Sequence, residues 1–224
     1  MFSKIAHLFI FGTMLFICSF CSPSRIVQPL QKGESQVGLH LGGPMIRFAG
    51  APLPIPLTSL SYARGIDSTF TAFGGIGLTA AAFGVAQVDL GCTKGLWTPK
   101  GARPGVSVSP SLNFMIDKWE GNFRFYPTLD VNAYWQLGKR KNTAYIGLNN
   151  WFVLNATRTQ GEPQTTRYIP NLQVGYVIRR KGWNYTIEAK YLAPFNDNVK
   201  LVPDYISAGT TGAFGIYFNV GKTF

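Results

Sequence analysis

Apolar and polar residues alternate one by one along much of the chain, and for longest between Pro104 and Gly138. There Val106, Val108, Pro110, Leu112, Phe114 and Ile116 alternate with Ser107, Ser109, Ser111, Asn113, Met115 and Asp117. After a turn at Lys118–Gly121, Phe123, Phe125, Pro127, Leu129, Val131, Ala133, Trp135 and Leu137 alternate with Arg124, Tyr126, Thr128, Asp130, Asn132, Tyr134 and Gln136. A period of two is that of a strand, whose successive side chains point to opposite faces. Twelve or more such residues span about 40 Å at about 3.3 Å each, well beyond the five or six residues of an ordinary strand. Strands this long, apolar on one face and polar on the other, suit a membrane-spanning β-barrel.

The same period predicts further strands over Gln36–Phe48, Leu57–Arg64, Thr69–Ala80 and Val85–Thr93. Later ones are expected over Ala144–Leu154, Tyr168–Ile178, Trp183–Tyr191 and Phe214–Phe224. With the central hairpin this gives about ten, with eight and twelve open. An even number is expected when both ends of a single-chain bacterial barrel lie in the periplasm. The expected fold is all-β, an antiparallel up-and-down transmembrane barrel over residues 35–224, preceded by a signal peptide at 1–20 and a periplasmic linker at 21–34. Lys94–Arg103, Asn155–Thr166 and Leu192–Gly212 read as the long connections.

Aromatic placement decides which face meets lipid. With the first strand rising from the periplasm, Trp135, Tyr176, Trp183 and Phe224 fall at the periplasmic ends of the apolar phase. Phe125, Phe152, Tyr168, Tyr191 and Phe214 fall at its outer ends. Two such belts are what the two membrane interfaces require, so the apolar phase is expected outside.

The first residues, MFSKIAHLFIFGTMLFICSFC, carry one early lysine and an apolar run too short to span a bilayer, the pattern of an export signal. The run ends at Cys21, which opens the polar stretch CSPSR, so lipidation is expected at Cys21. Phe20 is bulkier than the residue a lipoprotein peptidase takes, and cleavage as an ordinary signal peptide stays open. On either route Cys92 is left as the free thiol of the mature barrel, with no disulfide partner.

Only 14% of residues are charged, against about 25% in soluble domains. The net charge is +11, but the cations fall mostly in turns, so no nucleic-acid partner is expected. The inward phase gathers Asp89, Asp117, Arg124, Asp130, Glu188 and Lys190, an expected lumen polar network. A barrel of about ten strands has a narrow bore. A filled, internally paired lumen is the main expectation there, and a pore or relay the other.

No chemistry-bearing constellation stands out. His40 is the histidine left after the signal, and a dyad would need it beside Ser59, Ser107 or Ser109. Asp197 and Asp204 share the longest loop and could flank a water. Gly74–Gly77 lacks the third glycine of a dinucleotide fingerprint. No catalytic set, metal site or cofactor is expected, and an enzyme is the less favoured class.

The last strand aligns Phe214, Ile216, Phe218, Val220 and Phe224 in one phase, and barrel closure predicts that it pairs with the first near Val37–Leu41. The chain also resembles the small, uncharacterised outer-membrane β-barrel lipoproteins of Bacteroidetes-type Gram-negative bacteria. The resemblance lies in CSPSR from Cys21, QPLQKGESQV from Gln28, LGGPMI from Leu41, PGVSVSPSLNFMIDKWEGNF from Pro104, LDVNAYWQLGKR from Leu129 and KGWNYTIEAKYLAP from Lys181. It implies a cell outer-membrane address, contact with outer-membrane lipid, and recognition of Phe218 and Phe224 by the barrel assembly machinery; it implies no activity. The expected role is that of a monomer acting structurally or in surface interaction. A narrow channel for small solutes or ions and an integral membrane hydrolase are the alternatives.

Overall fold

The computed structural model describes residues 24–119, 121, 123–157, 163–198 and 203–224. Cys21 and the signal at 1–20 lie outside the described residues. The strands are β1 (Ser35–Phe48), β2 (Ala51–Pro54), β3 (Leu57–Asp67), β4 (Phe70–Gly77), β5 (Val85–Trp97), β6 (Gly105–Asp117), β7 (Phe123–Leu137), β8 (Asn142–Phe152), β9 (Tyr168–Arg180), β10 (Trp183–Asp197) and β11 (Thr211–Thr223). β2 folds back only on the outer end of β1, so ten of the eleven form the wall, each antiparallel to its neighbours. β1 and β11 close the barrel, with Leu39 opposite Val220 and Leu41 opposite Phe218. Closure leaves the wall no unpaired edge, which hydrocarbon would not tolerate.

Several expected boundaries move by three or more residues, and β5 runs on to Trp97 into the expected connection; two of the shifts have a visible cause. The strand expected over Thr69–Ala80 stops at Gly77, and Leu78–Ala82 form a short helix, α1, at the outer mouth. The alternation fails there: three alanines in a row favour a helical turn, and Ala80 tucks into the lumen. β10 runs on to Asp197, past Pro194, where a loop was expected. A register break against β11 between Leu192 and Asp197 takes up the proline.

The apolar phase faces outward. Val174 is 55% exposed while Gln173 beside it is 2% exposed. Leu39, Leu41, Ile76, Leu90, Leu148, Ile187 and Val220 continue the same band around the wall. So large an apolar surface marks a contact with lipid. Aromatic pairs edge it above, with Phe114–Phe125 ring centroids 5.2 Å apart, Phe152–Tyr168 5.6 Å and Tyr191–Phe214 4.9 Å. Trp135 and Trp183 edge it below, the former donating from Nε1 to the Ala102 carbonyl at 3.0 Å. A closed, even-stranded barrel with such a band is the build of an outer-membrane protein, and the outer membrane is where this barrel resides.

The stretch read as a periplasmic linker is placed differently. From Ser35 the chain turns back, and residues 24–30 run up inside the barrel. Gly65 is the doorway: its carbonyl accepts from the Gly33 amide, its amide donates to Glu34, and a Cβ there would strike the Gln31 carbonyl. The physical reason is burial. Ile26, Val27 and Leu30 are 6–8% exposed inside the barrel, where free in the periplasm they would stay in water.

Candidate functional site in the barrel lumen

The inward phase of the strands supplies a polar wall, and the N-terminal segment supplies what that wall lacks. Asp89 on β5 is 2% exposed. A carboxylate this deep needs a paired cation. Arg25 provides one, donating from Nε at 3.1 Å and from Nη2 at 2.5 Å in a two-pronged contact, with Nη1 on Ser59 Oγ at 2.8 Å. Gly75 on β4 makes the room, since a Cβ would lie 2.7 Å from Asp89 Oδ1 and 2.8 Å from Arg25 Nη2.

The segment's backbone is satisfied by short hydroxyl side chains of the wall. Thr93 Oγ1 donates to the Ile26 carbonyl at 2.9 Å and Ser107 Oγ to the Val27 carbonyl at 2.6 Å. The Leu30 amide donates to Thr71 Oγ1 at 2.8 Å. Gln28 Oε1 accepts from Thr143 Oγ1 at 3.2 Å and from Arg179 Nη2 at 3.1 Å. Thr71, Thr93, Ser107 and Thr143 show no exposure at all. Ile26 and Leu30 pack on Ala63 and Phe73, and Val27 packs on Tyr134 and Tyr145.

At mid-height the segment reaches the other charges. The Ser24 amide donates to Glu188 Oε1 at 3.2 Å, and Ser24 Oγ lies 3.4 Å from Asp130 Oδ2 and 3.1 Å from Gln173 Oε1. Glu188 also accepts from Tyr145 at 2.6 Å and pairs with Lys190 at 3.4 Å. Asn149 Nδ2 donates to Asp130, while Asn149 Oδ1 accepts from Trp151 Nε1 at 2.6 Å and from Asn171 Nδ2 at 2.9 Å.

Of the expected network, then, the structure brings together Asp89, Asp130, Glu188 and Lys190. Asp117 and Arg124 sit apart at the outer rim, where Asp117 accepts from the Trp119 amide at 2.9 Å and Arg124 donates to the Thr157 carbonyl. Arg25 was missed. The signal that could have found it is the balance of the inward phase, where Asp89, Asp130 and Glu188 face Lys190 and, lower down, Arg179.

Above these charges the lumen changes character. Val85, Met115, Tyr126, Trp151, Val153 and Ile169 form an apolar cluster, with Ala80 of α1 over it. Trp151 is 1% exposed and Ile169 2%. Cavities of about 20 Å³ beside Asp89 and Asp130, and of about 50 Å³ beside Gln28 and Arg179, flank the segment. A water needs about 10–15 Å³, so these have room for one to a few waters. Asn113 Oδ1, lining the first cavity, and Asn219 Oδ1, lining the second, have no protein partner and are the groups such waters would serve.

Other candidates are resolved by position. His40 Nε2 lies 2.8 Å from Ser61 Oγ, not from Ser107 or Ser109, and Ser59 stands opposite it in register. His40 Nδ1 has no partner, so no carboxylate orients the ring, and His40 is 1% exposed. Asp204 pairs with Arg47 at 3.4 Å on the surface. Among the described residues no group of three or more His, Cys, Asp or Glu could hold a metal. Phe218 faces lipid, and the Phe224 backbone pairs with Ser35 in both directions, at 2.8 and 3.1 Å.

No family model matches the chain, and no curated protein is significantly similar to it. Solved structures are similar at low identity. The translocator domain of the autotransporter NalP from Neisseria meningitidis is 10% identical with a TM-score of 0.45, over 99% of this chain and 98% of that one. The toluene transporter TodX of P. putida is 8% identical with a TM-score of 0.38, over 87% and 90%. The outer membrane protein OprG of Pseudomonas aeruginosa is 9% identical with a TM-score of 0.28, over 89% and 99%.

Proposed function

We propose that the protein is a closed, monomeric outer-membrane barrel that acts structurally and through its outer surface, not through its lumen. The observation that carries this is the double filling of the bore: residues 24–30 below, and the apolar cluster around Trp151 above. Exposed apolar side chains at the outer ends support a surface role, with Phe195 81% and Phe48 65% exposed. Planar-bilayer recording tests the reading. The wild-type barrel should give no unit conductance steps; stable steps would replace it with the channel reading.

Lipidation of Cys21 is proposed as the rival of that filling, not as part of it. Ser24 sits at mid-height in the lumen, and three residues reach at most about 11 Å. Acyl chains would therefore demand that the segment leave the bore. Palmitate labelling that is equal in wild type and Cys21→Ser removes the lipid from the account. Recognition of the last strand by the assembly machinery is also proposed, on the exposed Phe218 and Phe224. Removing Phe224 should slow insertion more than it lowers the stability of the inserted barrel.

A hydrolase is the second reading, favoured by the His40–Ser61 contact alone. A purified barrel whose lipid or peptide hydrolysis is lost in His40→Ala would establish it.

A further inference from the structure

The inner rim carries a charge pattern that neither the fold nor the lumen explains. The β7–β8 turn presents Lys139, Arg140 and Lys141, and the β9–β10 turn presents Arg180 and Lys181, all exposed. The two turns are tied together, because Asn142 Oδ1 accepts from the Arg179 amide at 3.0 Å. Lys222 of β11 adjoins them, opposite Trp183 in register and with its Nζ 5.2 Å from the indole centroid. Among the described residues none of these six makes an ion pair. Among the described residues the side-chain carboxylates of the inner end are Glu34, which accepts from the Gln31 amide, and Asp67, which accepts from Thr69. Like charges crowded on adjacent turns repel one another, so a cluster of this size favours an anionic partner.

Position decides which partner. Lys222 stands level with Trp183 in register, and the turn cations lie just beyond Trp183 and Trp135, the indoles that end the lipid-facing band on this side. Interfacial aromatic rings lie at the headgroup level. We infer that this rim binds the anionic phospholipid headgroups of the inner leaflet, with phosphates held by the turn cations and the acyl chains laid on the band above. Arg and Lys favour phosphate by charge-assisted hydrogen bonds. Basic residues near an anionic membrane surface contribute about 1 kcal/mol each, about fivefold in binding. The outer end is less one-sided, since Arg47 is paired with Asp204 and Asp197 stands nearby.

The test uses the folded barrel in phosphatidylcholine vesicles containing brominated phosphatidylglycerol or brominated phosphatidylcholine, with tryptophan quenching as the readout. The wild type should select the phosphatidylglycerol by about fivefold or more, and high salt should remove most of that selectivity. The variant Lys139→Gln, Arg140→Gln, Lys141→Asn, Arg180→Gln, Lys181→Asn should bring the ratio close to one. Asparagine is used at Lys141 and Lys181 because their φ values are 53° and 47°, a region asparagine tolerates. Heat-modifiable gel mobility confirms that the variant is folded. The control Lys118→Gln, Arg167→Gln, at the outer end, should keep the wild-type ratio. A wild-type ratio of one, or an equal ratio in wild type and inner-rim variant, overturns the inference. So does rim-dependent binding to isolated peptidoglycan without any lipid selectivity, which would make the wall polymer the partner.

Discussion

In the inner half of the lumen Arg25 meets Asp89 at 2.5 Å, and Thr93 and Ser107 donate to a strand of chain that runs between the walls. In the outer half Val85, Met115, Trp151, Val153 and Ile169 pack together with no charge among them. Both halves are closed, but by opposite means. The inner half has a polar wall that must be satisfied, and a separate piece of the chain arrives to satisfy it. The outer half is closed by the strands' own side chains, like the core of a soluble domain. Two independent closures explain why loss of one should not open the bore. They also separate two kinds of fragility, an electrostatic one below and a packing one above.

The largest expected effect lies below. Arg25→Ala leaves Asp89 buried without its cation, and breaking a buried pair in this way costs about 3–5 kcal/mol. Folding titrations into lipid measure it; a loss under 1 kcal/mol would mean that the segment does not seat against β5. Above, Met115→Ala should cost about 2–5 kcal/mol through the cavity it leaves, with little dependence on salt in the same titration. On the lipid side, Leu148→Arg should cost about 2–4 kcal/mol near mid-bilayer. No loss there would reverse the facing assignment. Smaller again is Ser107→Ala, which leaves the Val27 carbonyl without its donor and should cost about 1–3 kcal/mol. The sharpest test of the double closure is a conductance comparison. Deleting residues 24–30 should leave the bore shut, because the cluster around Trp151 remains; the same deletion with Trp151→Ala and Met115→Ala should conduct.

The wall was legible in the sequence because its signal is local. Each strand carries its own alternation, and Val174 beside Gln173 is enough to tell lipid from lumen. Pairing of β1 with β11 also followed, since closure admits no other partner for the two ends. A filled, paired lumen was expected, but that residues 24–30 fill it was not legible, because that is a long-range property. Arg25 and Asp89 are 64 positions apart, and nothing beside Arg25 in the sequence announces a partner. Pro23 and Pro29 made the stretch read as a linker, while Ile26, Val27 and Leu30 were the hint that it is buried. Asp117 and Arg124 show the converse error: the inward phase places a residue on the lumen side but not at a height, and these two lie at the rim.

The central claim is that residues 24–30 occupy the inner lumen and hold Asp89 in place. A double-mutant cycle between Arg25→Ala and Asp89→Asn, read by urea titration of the folded barrel in lipid, tests it most directly. The account predicts that Asp89→Asn rescues part of the Arg25→Ala loss, with a coupling energy at the upper end of the roughly 0.5–3 kcal/mol found for contacting residues. Additive losses, with coupling near zero, would contradict it and return the segment to the periplasm as a free linker.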